Sequence, residues 1–123
     1  MKFTVEKKER LKSKKLIKSL FEEGKTIRKF PLRLIYLTKS PFPTQSTQVS
    51  FSVPKKNFKK AVDRNRIKRL LREAYRLEKK AVLDNKEVSF VFMITYIGKT
   101  KPIFFDVQEK IREVLSLLKE RTE

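Results

Sequence analysis

The sequence predicts a small α+β sandwich, and three kinds of side-chain pattern support this prediction. Residues 32–37 and 48–53 alternate between two sets of side chains with a period of two, which is typical of strands. Residues 63–83 place apolar side chains on one helical face and basic side chains on the opposite face. Residues 88–96 are nearly all apolar, which is typical of a buried central strand.

The predicted elements follow along the chain as helix, strand, strand, helix, strand, helix. Ser13 is placed to cap a first helix over residues 13–23, and Gly24 follows as the residue that ends it. A loop containing residues 40–43 then joins the first two strands, and the second strand stops at Pro54. Because this connection is short, we expect the two strands to form a hairpin.

The long helix is expected to pack its apolar face and to leave its basic face free. The apolar face consists of Ile67, Leu70, Leu71, Ala74, Leu77 and Ala81. Gly98 and Pro102 follow the central strand, and residues 106–121 form a final amphipathic helix. This order predicts helices on one side of a small sheet, in a single domain over residues 1–123 with residues 1–10 as a candidate disordered segment.

Positive charge is concentrated in two parts of the chain. The 123 residues contain 32 Lys plus Arg against 14 Asp plus Glu, which gives a formal net charge of +18. Residues 1–29 hold eleven basic and four acidic side chains, and residues 54–80 hold twelve and three. Because these two segments carry nearly all of the excess, we expect a polyanion to bind on the side of the protein that they build.

The composition excludes most enzyme chemistry. With no Cys and no His, the chain lacks thiolate and imidazole metal ligands, cysteine nucleophiles and the commonest general base. Two Gly cannot build a glycine-rich phosphate loop, and no pair of carboxylates lies in an apolar setting. The longest apolar run is too short for a membrane span and the charged start lacks a signal core, so we expect a cytoplasmic binding protein.

Residues 55–76 contain the candidate binding helix. Arginine bridges phosphate oxygens with a fork of donors and lysine adds a mobile charge, so a helix face with both is suited to following phosphates. Asn65 lies among the arginines, where its amide is explained by a hydrogen bond to a ligand. Phe21, Tyr36 and Phe51 are first interpreted as core residues. The alternative is that they stack unpaired bases in a groove between the first helix, the sheet and the basic helix.

Residues 61–73 closely resemble the signature of the bacterial ribonuclease P protein family, including its Arg-Asn-Arg core. This segment follows residues 52–56 in the order that the family has, and the patterns at residues 10–12 and 21–24 extend the resemblance over most of the chain. The resemblance implies a sandwich of about four strands and three helices. It also implies a ribosomal-protein-like fold with a left-handed βαβ crossover, an exception to the usual hand.

The resemblance further implies assembly with the catalytic RNA that removes the 5′ leader from precursor tRNA. The RNA would perform the hydrolysis with Mg²⁺ that it mainly holds itself, and the protein would be a monomeric accessory subunit, one per RNA, with no catalytic or metal-binding residue. The residues implied to bind the catalytic RNA are Arg64, Asn65, Arg66, Lys68, Arg69 and Arg72. Those implied to bind the leader are Ile17, Phe21, Ser52, Lys55 and Lys56, with Tyr36 and Phe51 as candidates.

Other function classes share parts of this pattern. A ribosomal or ribosome-assembly protein would have the same composition but not the Arg-Asn-Arg segment. A DNA-binding regulator would need a preceding helix at helix-turn-helix spacing. A nuclease acting without RNA would need a carboxylate metal cluster or a general base. The family pattern itself departs at residues 93–96, where relatives often have Ala followed by Arg or Lys, so a leader contact from that strand is not implied.

Overall fold

A computed structural model describes residue 11 and residues 14–37, 48–83 and 91–122. Within these residues the elements are α1 (Lys14–Glu23), β1 (Lys25–Lys29), β2 (Leu32–Leu37), β3 (Gln48–Ser52), α2 (Ala61–Leu83), β4 (Val91–Tyr96) and α3 (Phe104–Thr122). Three helices and one four-stranded mixed sheet confirm the predicted α+β class. The candidate disordered residues 1–10 and the predicted cap Ser13 lie outside the described residues.

The hairpin predicted between the strands at residues 32–37 and 48–53 is wrong. The strand order in the sheet is β1-β2-β4-β3, so β4 lies between β2 and β3. β4 pairs antiparallel with β2 and parallel with β3. All six residues of β4 are buried, and a strand that is apolar on both faces is stabilised most at the centre of a sheet. The parallel pair β3 and β4 is joined through α2, and the hand of that crossover stays a prediction.

The sequence did not predict β1, which pairs antiparallel with β2. Its five residues contain one buried apolar side chain, Ile27, among charged and polar neighbours. A single apolar residue gives no alternation that could be recognised. β2 therefore forms a hairpin with the segment before it, across a turn at Phe30 and Pro31, and pairs with β4 on its other edge.

The helices pack on both faces of the sheet, so the prediction of helices on one side is wrong for α1. On one face α2 and α3 enclose the main core. On the other face α1 packs Leu16 and Leu20 against Leu37, Val91 and Met93, which we call the α1 cluster. Because side chains alternate along a strand, β2 and β4 contribute to both faces, and each face needs its own cover.

The apolar face of α2 is confirmed at three of its predicted positions. Ile67, Leu71 and Ala74 are buried in the main core, whereas Leu77 is 44% exposed. α2 and α3 are also joined by Glu78, a buried carboxylate that accepts hydrogen bonds from Arg112 Nε at 2.7 Å and Gln108 Nε2 at 3.0 Å. The hydrogen bond from Arg112 lowers the pKa of Glu78 below its ordinary value of 4.5, although burial acts in the opposite direction.

Glu78 should make part of the stability dependent on pH. Because its pKa is lowered in the folded protein, its contribution is fully present above about pH 4.5 and is lost as the pH falls through the folded value. We expect Glu78→Gln to be less stable than the parent at neutral pH and to lose less stability on acidification. Urea unfolding of both proteins at neutral and acidic pH measures their free energies of unfolding. The control is the same substitution at Glu120, which is exposed. If the stability of Glu78→Gln depends on pH as that of the parent does, Glu78 is not the source of the pH dependence.

Candidate nucleic-acid interface

The basic face of α2 presents most of the predicted RNA-binding residues to solvent. Asn65, Arg66, Arg69 and Arg72 are exposed, and Lys68 is half-buried. Residues three and four apart lie on one side of a helix, so these groups form a continuous surface, which we call the basic face. The only carboxylate of the first turn, Asp63, is held at 3.2 Å by Lys101 from the segment before α3.

Arg64 has an internal role that the sequence did not indicate. Its Nη1 donates hydrogen bonds to the carbonyl oxygens of Phe58 and Lys59, both at 2.8 Å. These carbonyls belong to the segment that enters α2, so Arg64 fixes the start of the helix. A guanidinium has five N–H donors, and those not used here remain for a ligand. Replacing Arg64 would therefore change both the segment and the charge, which makes Arg69 the cleaner test of binding.

A short turn connects the sheet to the basic face. Lys55 and Lys56 are exposed in this turn, which is closed by the Asn57 amide donating to the carbonyl of Pro54 at 3.2 Å. Phe58 then inserts into the main core with 6% of its surface exposed. The buried ring anchors the turn, so the two lysines lie at a fixed place between the end of β3 and the start of α2.

α1 packs over β2 and β4 on its face of the sheet, and we call the part of this face that lies beside α1 the cleft. Beyond the α1 cluster, the strand register aligns Arg28, Arg33, Thr95 and Ser52 in one row across all four strands. We call these four residues the cross-strand row. Ile17 packs against the α1 cluster, and Phe21, one turn later, is 58% exposed. The cleft therefore has α1 as a wall, and its floor includes exposed Arg28 and half-buried Arg33 and Ser52, whereas Thr95 between them is 3% exposed.

Tyr36 and Phe51 do not line this cleft, so the structure does not bring them together with the other residues predicted to bind the leader. Tyr36 is 1% exposed and belongs to the main core. Phe51 is partly buried against the same core, with its ring centroid 5.8 Å from that of Tyr75 in an edge-to-face arrangement. Because strand side chains alternate between faces, their neighbours Ile35 and Ser52 face the cleft instead. The core interpretation of both rings is confirmed.

Arg33 is the cleft residue that the sequence analysis missed. It is half-buried on the floor, and its Nε is buried with no hydrogen-bond partner among the described residues. A buried donor without a partner is costly, and because the side chain as a whole is only half-buried, its exposed part can contact an anionic ligand. The available signal was an arginine inside the otherwise apolar strand β2. Its face could not be assigned before the pairing of β2 was known.

The described residues show neither a metal centre nor a membrane segment. No group of three or more Asp or Glu side chains within the described ranges could hold a metal ion. Among the described residues, no helix is both long enough and apolar enough to cross a membrane.

Comparisons with known proteins identify the family. The family model described as Ribonuclease P matches residues 5–120. The chain is 35% identical over 116 residues to the ribonuclease P protein component of Porphyromonas gingivalis, covering 92% of this chain and 85% of the relative. It is 38% identical over 126 residues to that of Chlorobium phaeobacteroides, covering 94% and 85%.

Solved structures agree at the level of the fold. The ribonuclease P protein of Staphylococcus aureus superposes with a TM-score of 0.72 at 19% identity, covering 90% of this chain and 95% of that one. The Thermotoga maritima protein gives 0.71 at 24% identity, covering 89% and 96%. With a family match over nearly the whole sequence and relatives above 30% identity, the chain belongs to the bacterial ribonuclease P protein family.

Proposed function

We propose that the protein binds the catalytic RNA of ribonuclease P with the basic face and the 5′ leader of precursor tRNA in the cleft. In this way it promotes Mg²⁺-dependent removal of the leader. The observation that carries this proposal is the exposure of Lys55 and Lys56 in the turn between β3, which ends at the cleft residue Ser52, and α2, which carries the basic face. Two RNA segments that meet at a cleavage site can bind side by side in such an arrangement.

On the basic face, the exposed arginines supply paired donors to phosphate oxygens. Arg66, Arg69 and Arg72 are the principal contacts, and Asn65 adds an amide that can donate and accept. Lys68 contributes its charge from a half-buried position. Arg64 acts mainly by holding the start of α2, with its remaining donors directed to RNA.

In the cleft, the leader has both a stacking surface and phosphate partners. The exposed ring of Phe21 can stack an unpaired base, and Ile17 extends the apolar wall. Arg33 and the lysines at positions 55 and 56 supply cations to the backbone, and the hydroxyl of Ser52 can donate to a phosphate. Direct reading of base edges is a minor part of this arrangement, which suits a leader of varied sequence.

Hydrolysis is assigned to the RNA, with Mg²⁺ held mainly there. The charged side chains that the structure places in the cross-strand row are cations, which do not favour a bound metal ion. The protein therefore binds and orients the precursor, with one copy per RNA, in the bacterial cytoplasm. Chain composition supports this division of roles, because it lacks the imidazole and thiol groups of protein nucleases.

A reconstitution experiment tests the proposed function. The purified protein is mixed with a bacterial ribonuclease P RNA and a labelled precursor tRNA, at a magnesium concentration too low for the RNA to act alone. We expect leader release at the mature 5′ end only when both components are present. Tight RNA binding without stimulation would contradict the proposal and favour a ribosomal or ribosome-assembly role.

Arg33→Gln should weaken binding of precursor tRNA to the reconstituted complex about ten-fold, because a charge-assisted phosphate contact is lost. Affinity for mature tRNA, which has no leader, should stay unchanged. Arg33→Lys should restore part of the loss. Lys80→Gln, which removes an exposed cation from the last turn of α2, is the control. An equal effect of Arg33→Gln on precursor and mature tRNA would remove Arg33 from the leader site.

A further inference from the structure

The chain between β4 and α3 lies against the start of α2. We call residues 97–101 the β4–α3 segment. The Asn57 side-chain amide donates to the carbonyl of Ile97 at 3.5 Å, and the ring centroid of Phe58 is 6.1 Å from that of Tyr96, the last residue of β4. At its other end the segment contacts α2 itself, through the ion pair between Lys101 and Asp63. The segment therefore lies beside the residues through which the chain enters α2.

The backbone of the β4–α3 segment is held in place by the protein itself. The Ile97 amide donates to the carbonyl of Pro31 at 2.8 Å, and the Tyr96 hydroxyl donates to the carbonyl of Thr100 at 2.6 Å. Gly98 permits this close approach, because a Cβ at this position would lie 2.7 Å from the Tyr96 hydroxyl oxygen. The two lysines of the segment therefore extend from a fixed backbone, which reduces the entropy that is lost when they bind a ligand.

Positive charge collects where the two segments meet. Residues 57–64 and 97–101 together hold five basic side chains and one carboxylate. Four of the five are exposed lysines, at positions 59, 60, 99 and 101. A surface of this charge favours a polyanion.

The one carboxylate, Asp63, is 21% exposed and lies 3.2 Å from the Lys101 ammonium. Negative charge in the first turn of a helix stabilises the helix start. The same charge would repel a phosphate bound on the basic face, and Lys101 neutralises it. Asp63 in turn fixes Lys101 against α2, although the lysine side chain stays 63% exposed.

The carboxylates that follow on α3 lie on the other side of the β4–α3 segment. Asp106 and Glu109 line a hollow together with Phe30 and Pro31 of the β1–β2 turn, and no described residue of α2 lines it. The charge on that side is mixed. The side of the segment that faces α2 carries the positive charge.

The β4–α3 segment continues the basic face. Asp63 and Arg66 are three residues apart and are neighbours on the surface of α2, so Lys101 lies within one helical turn of an exposed arginine of the basic face. The cleft is on the opposite side of the sheet, because α1 covers one face and α2 and α3 cover the other. An RNA that reaches Lys101 along α2 is therefore the RNA that the basic face binds.

We infer that the β4–α3 segment is a second part of the interface with the catalytic RNA. In this interface Lys99 and Lys101 contact phosphates next to those held by Arg66. An ammonium group has three N–H donors, so Lys101 can hold Asp63 and a phosphate at the same time. Asp63 acts as a positioning residue, which directs Lys101 along α2. The inference rests on the proposed function of the basic face.

The test measures the affinity of the full-length protein for the catalytic RNA alone, over a range of salt concentrations. We expect the double variant Lys99→Gln/Lys101→Gln to bind about ten-fold more weakly, because two charged contacts to phosphate are lost. The slope of log affinity against log salt should decrease by about two units. The matched control is Lys15→Gln/Lys25→Gln, which removes two exposed lysines from α1 and β1 and should bind as the parent does.

A second comparison separates contact with RNA from support of the helix start. Lys101→Gln is measured in an Asp63→Asn protein, in which the ion pair no longer exists. If Lys101 contacts phosphate, its replacement should still lower the slope by about one unit. No change in this background would overturn the inference and leave Lys101 as a contact that stabilises α2. Lys101→Arg keeps the charge and should keep the slope of the parent.

Arg69→Gln, measured in the same way, reports on the basic face. If Arg69→Gln lowers the slope and Lys99→Gln/Lys101→Gln does not, the β4–α3 segment is outside the interface and the inference is wrong. A loss in the double lysine variant that occurs only with precursor tRNA would assign the segment to the substrate and also overturn the inference. If neither variant changes the slope, the proposed function of the basic face fails first.

Discussion

Replacing Arg66, Arg69 and Arg72 together with glutamine should weaken binding of the catalytic RNA about 10³-fold. All three side chains are exposed on the basic face, and each charge-assisted contact to phosphate contributes about 1.4 kcal/mol or more. Phosphate contacts also release counterions, so the slope of log affinity against log salt should decrease by about three units. Filter binding or fluorescence titration over a range of salt concentrations measures both effects.

The fold of this variant should be intact, because none of the three arginines is buried and surface substitutions change stability little. Arg121→Gln, at the exposed end of α3, is the control for a lost charge outside the basic face. It should reduce neither the affinity nor the slope appreciably. If the triple variant keeps the salt dependence of the parent, the catalytic RNA binds to another surface.

Leu20→Ala should have the second largest effect. It should weaken binding of the leader and leave binding of the catalytic RNA unchanged. Leu20 is fully buried in the α1 cluster, and removing such a side chain costs about 2–5 kcal/mol. Total stabilities of small domains are about 5–15 kcal/mol, so the loss is severe. Since the α1 cluster is separate from the main core, the cost falls first on the docking of α1, which forms the wall of the cleft.

We therefore expect Leu20→Ala to lose affinity for precursor tRNA while its affinity for the catalytic RNA is retained. Hydrogen exchange should show faster exchange in α1 than in α2 or β4. Leu71→Ala is the matched control, because Leu71 is equally buried but belongs to the main core under α2. Leu71→Ala should weaken the cleft and the basic face together, so that affinity for both RNAs falls. Uniform loss of protection in Leu20→Ala would show that the two clusters unfold as one.

Much of the fold could be predicted because its strongest patterns are local. The periodicity of α2 and the nearly continuous apolar run of β4 are both local features of the sequence. Strand pairing is not local, and the partner of β2 depends on how β4 is covered on both faces. The hairpin prediction failed for this reason, and β1 was missed because only Ile27 marks its buried face.

For the candidate site too, the part that depends on local spacing was predicted and the part that depends on strand pairing was not. Charge on a helix face can be derived from spacing alone, so Arg66, Arg69 and Arg72 were predicted as exposed groups and are exposed. The face of a strand cannot be derived from spacing when both of its faces are apolar. Tyr36 was a candidate because an aromatic ring can stack on a base, but the pairing of β2 directs that ring into the main core.

The central position of β4 also has a consequence for how the protein is made. β4 is the sixth of the seven described elements, yet it joins β2 to β3 in the sheet. During synthesis, β1 and β2 can pair early, whereas β3 and the apolar face of α2 must wait for β4 and α3 to leave the ribosome. Until then, a strongly cationic helix has no folded domain behind it. Its ordered binding surface forms late in translation, when the sheet is complete.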